Sequence, residues 1–382
     1  MTVLPEELLD DVGRLEAGDV SGMLPAVASA AAQVREAAAL SAEAGIGALA
    51  QEDRPRSVVV CGMGGSGIAG DVLAAVAGPS CPVPVLTHRG YGLPAWVGAA
   101  DLVVAVSCSG STEETLSALE EAVRRGCRLL VVGAAGSPVE ELGSRGRALF
   151  VPVTQGRQPR ATMWALSTPL VLAATALGLA SVDEAAVEAT AAQLEQVAVS
   201  CRPDADHFVN PAKRLALELS GTLPVVWGTS PLAGIAAYRF ACQLNENAKL
   251  PGVWGVLPEA CHNQVVAFDG PFGGSAAFSE DDFFADRTEG DEGAAATRLR
   301  VVLLRDADEH PQIARRAQVV ADLADERGID VSSLPAVGES SFERLASLIG
   351  PTDWASTYLA LLEGRDPTPV DAITALKERI NR

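Results

Sequence analysis

Residues 57–71 read SVVVCGMGGSGIAGD, and this stretch decides the fold class. Val58 to Cys61 form an apolar run bounded by glycine and too short for a helix, which reads as a buried strand. Gly62, Gly64, Gly65 and Gly67 interrupt it, and a helical pattern then continues to about Ala77. Strand, glycine-rich turn and helix in that order open a βαβ unit. The turn lets the backbone approach an anion, and the helix start offers free N–H groups and a positive dipole end. Gly62-Met63-Gly64-Gly65-Ser66-Gly67 also satisfies GxGxxG, the dinucleotide pattern. The acid that would hold a ribose is missing at the end of the next strand, which reads Thr87-His88-Arg89.

The same alternation continues outward. PVLTHR (84–89), DLVVAVSCSG (101–110), RLLVVGA from Arg128, and ALFVPV (148–153) read as strands, with helices at 112–125 and 163–180. After an amphipathic stretch at 182–200 the order restarts. Strands are expected at 223–230, 252–257, 298–305 and 330–335, with helices at 211–220, 231–249, 311–327, 340–349, 353–363 and 369–380. The pattern predicts an α/β protein of two doubly wound parallel sheets with ligands at the C-terminal strand ends. The expected parts are an N-terminal helical segment (1–45), a first domain (46–182), a connecting helix (183–209) and a second domain (210–382). A solvated insertion at 270–297 is rich in Gly, Asp and Glu.

Composition sets limits on function. The formal net charge of −20 argues against nucleic-acid and anionic-membrane partners, and it requires any phosphate pocket to be locally positive. Three lysines (Lys213, Lys249, Lys377) stand against twenty-six arginines, so each lysine is a minority choice. Seven dispersed cysteines without a CxxC pair read as reduced thiols of a cytoplasmic protein. The N-terminus lacks an apolar signal core, and Met163 to Val182 reads as a buried helix rather than a membrane span. Four histidines without HxH or HxxxH spacing give no sign of a metal centre, and no cofactor is expected.

A second turn, SCSGSTEE (107–114), also lies at a strand end. Ser111-x-x-Glu114 fits a capping box, which accounts for those two residues. Ser107 and Ser109 share one face of the emerging strand and are left over. With Ser66 and Thr112 they suit a phosphate held between both turns.

These two turns, together with GRQPRA (156–161) and NENAKLPGVWGVLPEACHNQVVAF (245–268), resemble the SIS superfamily, in particular the bifunctional phosphoglucose/phosphomannose isomerases. The resemblance spans most of residues 50–382. It implies two SIS domains and metal-independent aldose–ketose isomerisation of a hexose 6-phosphate. It also implies phosphate binding by Gly65, Ser66, Ser107, Ser109 and Thr112.

Such chemistry needs a proton-shuttling base, a ring-opening acid/base and a cation for the enediolate. On residue chemistry alone Glu246 and Glu259 are equal candidates, His88 competes with His262, and Arg160 reads as a loop cation. The resemblance selects Glu246 as base, His262 for ring opening from the partner subunit of a homodimer, and Arg160 for the enediolate. It implies that Lys377, on the terminal helix, assists ring opening. Departures from the family's usual wording are Gly67 for Ala, Ser111 for Asn and Cys108 for Tyr, which bear on substrate preference. A different sugar-phosphate isomerase, acting for example on an amino-sugar phosphate, and a non-catalytic sugar-phosphate sensor are the alternatives.

Overall fold

A computed structural model describes residues 6–274 and 297–380, so most of the expected insertion, 275–296, lies outside the described residues. The strands are β1 (Val58–Cys61), β2 (Val85–His88), β3 (Leu102–Ser107), β4 (Arg128–Ala134), β5 (Leu149–Val153), β6 (Thr222–Gly228), β7 (Val253–Val256), β8 (Arg298–Arg305) and β9 (Asp330–Pro335). They form two sheets, in the orders β2-β1-β3-β4-β5 and β7-β6-β8-β9. Every pairing is parallel, with Val60 opposite Val104 in the first sheet and Val226 opposite Val302 in the second. In both sheets the strand order reverses beside the first strand of the series, between β1 and β3 and between β6 and β8. That switch point opens a crevice at the carboxyl ends of the strands.

The chain divides into two compact units. The first comprises Ala28–Gln196 and Gly338–Ala346; the second comprises Met1–Val27, Val197–Val337 and Ser347–Arg382.

In the first unit the sheet is buried on both faces, as a parallel sheet demands. Val58, Val60, Val104 and Val106 pack with Leu166 and Leu170 of helix Met163–Ala176. Val59, Cys61, Val103 and Ala105 point the other way, onto Ala118 and Leu119 of helix Glu113–Arg124. Each fully buried valine contributes roughly 1.5–3 kcal/mol relative to exposure, which explains why β1 reads as an unbroken apolar run. Helix Met163–Ala176 is buried along most of its length. Among the described residues no helix is long and apolar enough to cross a membrane.

In the second unit Val225, Trp227, Val301 and Leu303 form the core with Phe268, Ala317 and Val320. Two helices depart from the sequence expectation. The helix expected at 231–249 runs as α-helix only over Pro231–Gln243 and then widens into a π turn, Leu244–Ala248. The break expected at Gly350-Pro351 does not occur; one helix runs from Ser341 to Leu362. Proline removes a donor from the ladder, but the Thr352 hydroxyl lies 3.0 Å from the carbonyls of both Leu348 and Ile349 in the disturbed turn.

Candidate active site

The two Ser/Gly turns meet at the β1/β3 switch point of the first unit. Ser66 sits in the first turn of helix Gly64–Ala77, is buried, and its hydroxyl accepts a 3.3 Å hydrogen bond from the Cys108 N–H. Across the crevice Ser107 Oγ lies 3.1 Å from Thr112 Oγ1, and Ser109 Oγ lies 3.5 Å from the same atom. Ser111 donates its N–H to Ser109 Oγ at 3.3 Å.

The capping-box reading of Ser111 and Glu114 does not hold. The N-cap of helix Glu113–Arg124 is Thr112, and its side chain makes no cap hydrogen bond. Its hydroxyl instead joins Ser107 and Ser109, leaving the N–H groups of the helix start without a side-chain acceptor at that residue. Hydroxyls gathered at two adjacent helix N-termini suit an anion. Gly110, between them, has φ +71°, and a Cβ there would lie 2.1 Å from Ser137 Oγ, so the turn closes only with glycine.

The Gly67 departure also has a physical reading. An alanine Cβ at this position would lie 2.8 Å from the Gly62 carbonyl oxygen and 2.9 Å from Arg89 Nε. Glycine therefore lets a guanidinium lie against the turn, where it pairs with Asp71. Arg89 directly follows β2, at the position where a dinucleotide site would carry an acid. Its charge is balanced by Asp71, so the pair adds a directed donor beside the turn rather than net positive charge.

Arg160 borders this cradle. It lies in a 3-10 turn, Pro159–Ala161, after β5, and the Pro159 carbonyl oxygen is 3.6 Å from where a Cβ on Gly65 would sit. Thr162 closes the loop by donating to the Gln158 carbonyl at 2.7 Å. Burial pushes the Cys108 thiol up, opposed by its hydrogen bond with Thr162, so the Ser107–Thr112 turn and the Arg160 loop back onto one another.

Two residues that the sequence did not single out hold the loop from helix Ala30–Glu43. Gln33, 1% exposed, donates to the Ala161 carbonyl at 2.7 Å and to Ser29 Oγ at 2.9 Å. Glu36 accepts from Thr154 Oγ1 at 2.6 Å and pairs with Arg157. The Thr154 hydroxyl is the main cause holding the Glu36 carboxyl below the usual carboxylate range, with Arg157 adding to it against the effect of burial. Their only sequence signal is polarity on an otherwise Ala-rich helix.

Glu246, His262 and Lys377 belong to the second unit. Glu246, half-buried, lies in the π turn; such single-turn widenings are frequent at functional sites. The turn is fixed by Asn247, which donates to Ser356 Oγ at 2.9 Å, and by Gln243, which reaches Asp353 Oδ1 at 3.3 Å. Asp353 is itself paired with buried Arg239. Burial pushes the Asp353 carboxyl up, and that ion pair opposes it. His262 is exposed on a 3-10 turn, Glu259–His262, that follows β7. Gln264 anchors this segment by accepting from Trp227 Nε1 at 2.5 Å and donating to the Trp254 carbonyl at 3.1 Å. The rival carboxylate Glu259 accepts from Asn263 Nδ2 at 2.8 Å. Lys377 lies in the last turn of helix Asp371–Ile380, which has no buried residue.

At the corresponding switch point of the second sheet the chain supplies its own polar partners. Asp306, 6% exposed, follows β8 as the Ser107–Thr112 turn follows β3. Its carboxylate accepts from Ser230 Oγ at 2.6 Å, at the start of helix Pro231–Gln243, and its N–H donates to Thr229 Oγ1 at 2.9 Å. The latter bond repeats the Cys108-to-Ser66 bond of the first sheet. Ser230 Oγ in turn accepts from the Ala233 N–H at 3.1 Å, so this helix start is capped by a serine that the Asp306 carboxylate holds in place.

Among the described residues, Asp10, Asp206 and His207 bring possible ligand atoms within 4.8 Å of one another. The Lys213 ammonium, 3.3 Å from Asp10 Oδ1, already supplies a cation there.

Comparison with known proteins agrees with this architecture. A family model described as the bacterial phospho-glucose isomerase C-terminal SIS domain matches residues 208–380. The chain is 32% identical over 323 residues to the bifunctional phosphoglucose/phosphomannose isomerase of Caldicellulosiruptor bescii, covering 85% of this chain and 89% of the relative. It is 29% identical to the enzyme of the same description from Aquifex aeolicus, over 86% of this chain and 91% of that one. Among solved structures, a hypothetical protein of Thermus thermophilus superposes with a TM-score of 0.70 at 17% identity, covering 98% of this chain and 94% of that one, a likeness of fold. With two parallel sheets of SIS type and this degree of identity over most of its length, the chain belongs to the bifunctional phosphoglucose/phosphomannose isomerase family.

Proposed function

We propose that the chain isomerises hexose 6-phosphates, converting glucose 6-phosphate, mannose 6-phosphate or both to fructose 6-phosphate through a cis-enediolate, without a metal. In this reading Gly65, Ser66, Ser107, Ser109 and Thr112 hold the phosphate. His262 moves a proton from the anomeric hydroxyl to the ring oxygen, with help from Lys377, and so opens the ring. The Glu246 carboxylate takes the proton from C2 and returns it to C1. Arg160 stabilises the negative oxygen of the enediolate between those two steps. Rotation about C2–C3 of the enediolate would let either epimer be served by one base.

The observation that carries the reading is Thr112. A threonine at a helix N-cap that leaves the cap unmade and turns to two serines is built for a ligand rather than for the helix. The relatives' isomerase descriptions supply the reaction class. A homodimer with shared sites is part of the proposal. Its support is exposed His262 and the apolar stripe Ile373, Leu376 and Ile380 on the terminal helix, exposed at 41%, 58% and 70%.

The test is a coupled assay for fructose 6-phosphate formed from each aldose phosphate, with and without EDTA. Product from at least one sugar, insensitive to EDTA, is expected. No product from either refutes the isomerase, and loss of product with EDTA refutes the metal-free mechanism.

A further inference from the structure

Lysine is rare in this chain, three residues against twenty-six arginines, and the structure shows what two of them do. Lys213, fully buried, donates to the carbonyls of Pro203 and Ala205 at 2.7 Å each and to Asp10 Oδ1 at 3.3 Å. Lys249 makes a similar set of bonds near the proposed base. Its Nζ donates to the Glu246 carbonyl at 2.6 Å, the Pro369 carbonyl at 2.8 Å and the Pro367 carbonyl at 3.2 Å. An ammonium carries three divergent donors on one atom and can meet three carbonyls converging on a point. A guanidinium presents a flat fork suited to parallel acceptors. Where arginine is the default cation, convergent carbonyls are where lysine is required.

The backbone at Lys249 is equally specific. The residue has φ +59°, a left-handed conformation uncommon outside glycine, and its N–H caps the π turn on the Leu244 carbonyl. Arg365 adds a second tie, donating to the Ala248 carbonyl at 3.0 Å. Pro367 and Pro369 immediately precede helix Asp371–Ile380, the helix of Lys377, which buries none of its own residues. The bonds of Lys249 and Arg365 therefore join that segment to the turn that carries Glu246.

We propose that Lys249 is a positioning residue whose ammonium fixes the Glu246 turn against the root of the terminal helix, so that the base and Lys377 are held in one frame. This rests on the isomerase reading for the roles of Glu246 and Lys377. The tie itself is a claim about the chain alone.

The experiment uses the full chain with Lys249→Met and Lys249→Arg, measuring kcat, KM for the better aldose phosphate, and amide hydrogen exchange by peptide. Both variants are expected to lower kcat on the order of 10²-fold, the scale of a misplaced catalytic group, with KM little changed. Exchange should quicken in 244–248 and 371–380 and stay unchanged in helix Gly64–Ala77, which also shows that the variants fold. Wild-type kcat in Lys249→Arg would mean that charge alone suffices and would overturn the proposal, as would unchanged exchange at 371–380 in Lys249→Met. Glu246→Gln is the control for the underlying reading. If it remains active, the base assignment fails, while the exchange measurement still decides whether the tie exists.

Discussion

Thr112→Val keeps the shape of the side chain and deletes one hydroxyl, and so separates two roles that a threonine before a helix can play. Were the hydroxyl a helix cap, its removal would cost roughly 0.5–2 kcal/mol of stability. The structure shows no such cap; the hydroxyl lies 3.1 Å from Ser107 Oγ and 3.5 Å from Ser109 Oγ. Only these weak neutral contacts are lost from the empty protein, so the expected change in stability is below about 1 kcal/mol. The bound state differs. A hydrogen bond to a charged group contributes about 1.5–3 kcal/mol, so phosphate should bind roughly 10- to 150-fold more weakly. Urea melts read the first quantity. Inhibition by inorganic phosphate at fixed ionic strength reads the second, since an acidic protein's affinity for an anion shifts with screening. A clear loss of stability with unchanged phosphate affinity would refute the anion reading and restore the cap.

Four further outcomes are expected. Glu246→Gln should leave sugar-phosphate binding nearly intact and cut turnover ~10²-fold or more; unchanged turnover in the coupled assay removes Glu246 from the mechanism. Gln33→Met strips the Ala161 carbonyl of its buried donor and should cost about 1–3 kcal/mol in a urea melt. If Gln33 acts through the Arg160 loop, it should add little further loss of kcat in an Arg160→Ala background, and independent effects on kcat would count against that link. Exchanging protomers of Glu246→Gln with those of His262→Asn should restore about a quarter of wild-type activity if each site takes one residue from each copy, whereas no recovery argues for sites within one chain. His207 is held more basic than usual by its hydrogen bond to Asp10, with Asp206 and Glu6 adding to this against burial. Its contribution to stability is complete below about pH 6.5 and fades as pH rises through its raised folded value. His207→Gln should therefore flatten the fall of the melting temperature above that pH, and an equal slope in both proteins contradicts the pairing.

The strands were legible because a parallel sheet buried on both faces writes itself as short apolar runs, as at Val58–Cys61, which ends at Gly62, and in the VVLL centre of Arg298–Arg305. That the two Ser/Gly turns meet was legible as well, since both follow strands that pair side by side in a parallel sheet. The helix start was misread: Ser111-x-x-Glu114 fits a capping box by residue type, but the N-cap falls on Thr112, and which hydroxyl a cap uses depends on backbone and side-chain rotations that sequence does not encode. Gln33, Glu36 and Gln264 were not legible at all. Their partners lie far away in the chain or are backbone carbonyls, which carry no residue signature. Pro351 misled for the opposite reason. Its local rule is strong, but Thr352 offers its hydroxyl to two of the neighbouring carbonyls, and the helix continues.

Asp306 has a consequence for how the protein responds to its ligand. Two sheets of like topology would offer two anion sites, and a ligand filling both would give a composite saturation curve. With its own carboxylate fixed at Ser230, the second turn is occupied at every phosphate concentration and costs no ligand to order. Calorimetric titration should therefore give one phosphate per chain and a simple hyperbola, with the duplicated half behaving as permanently saturated scaffolding for Glu246 and His262.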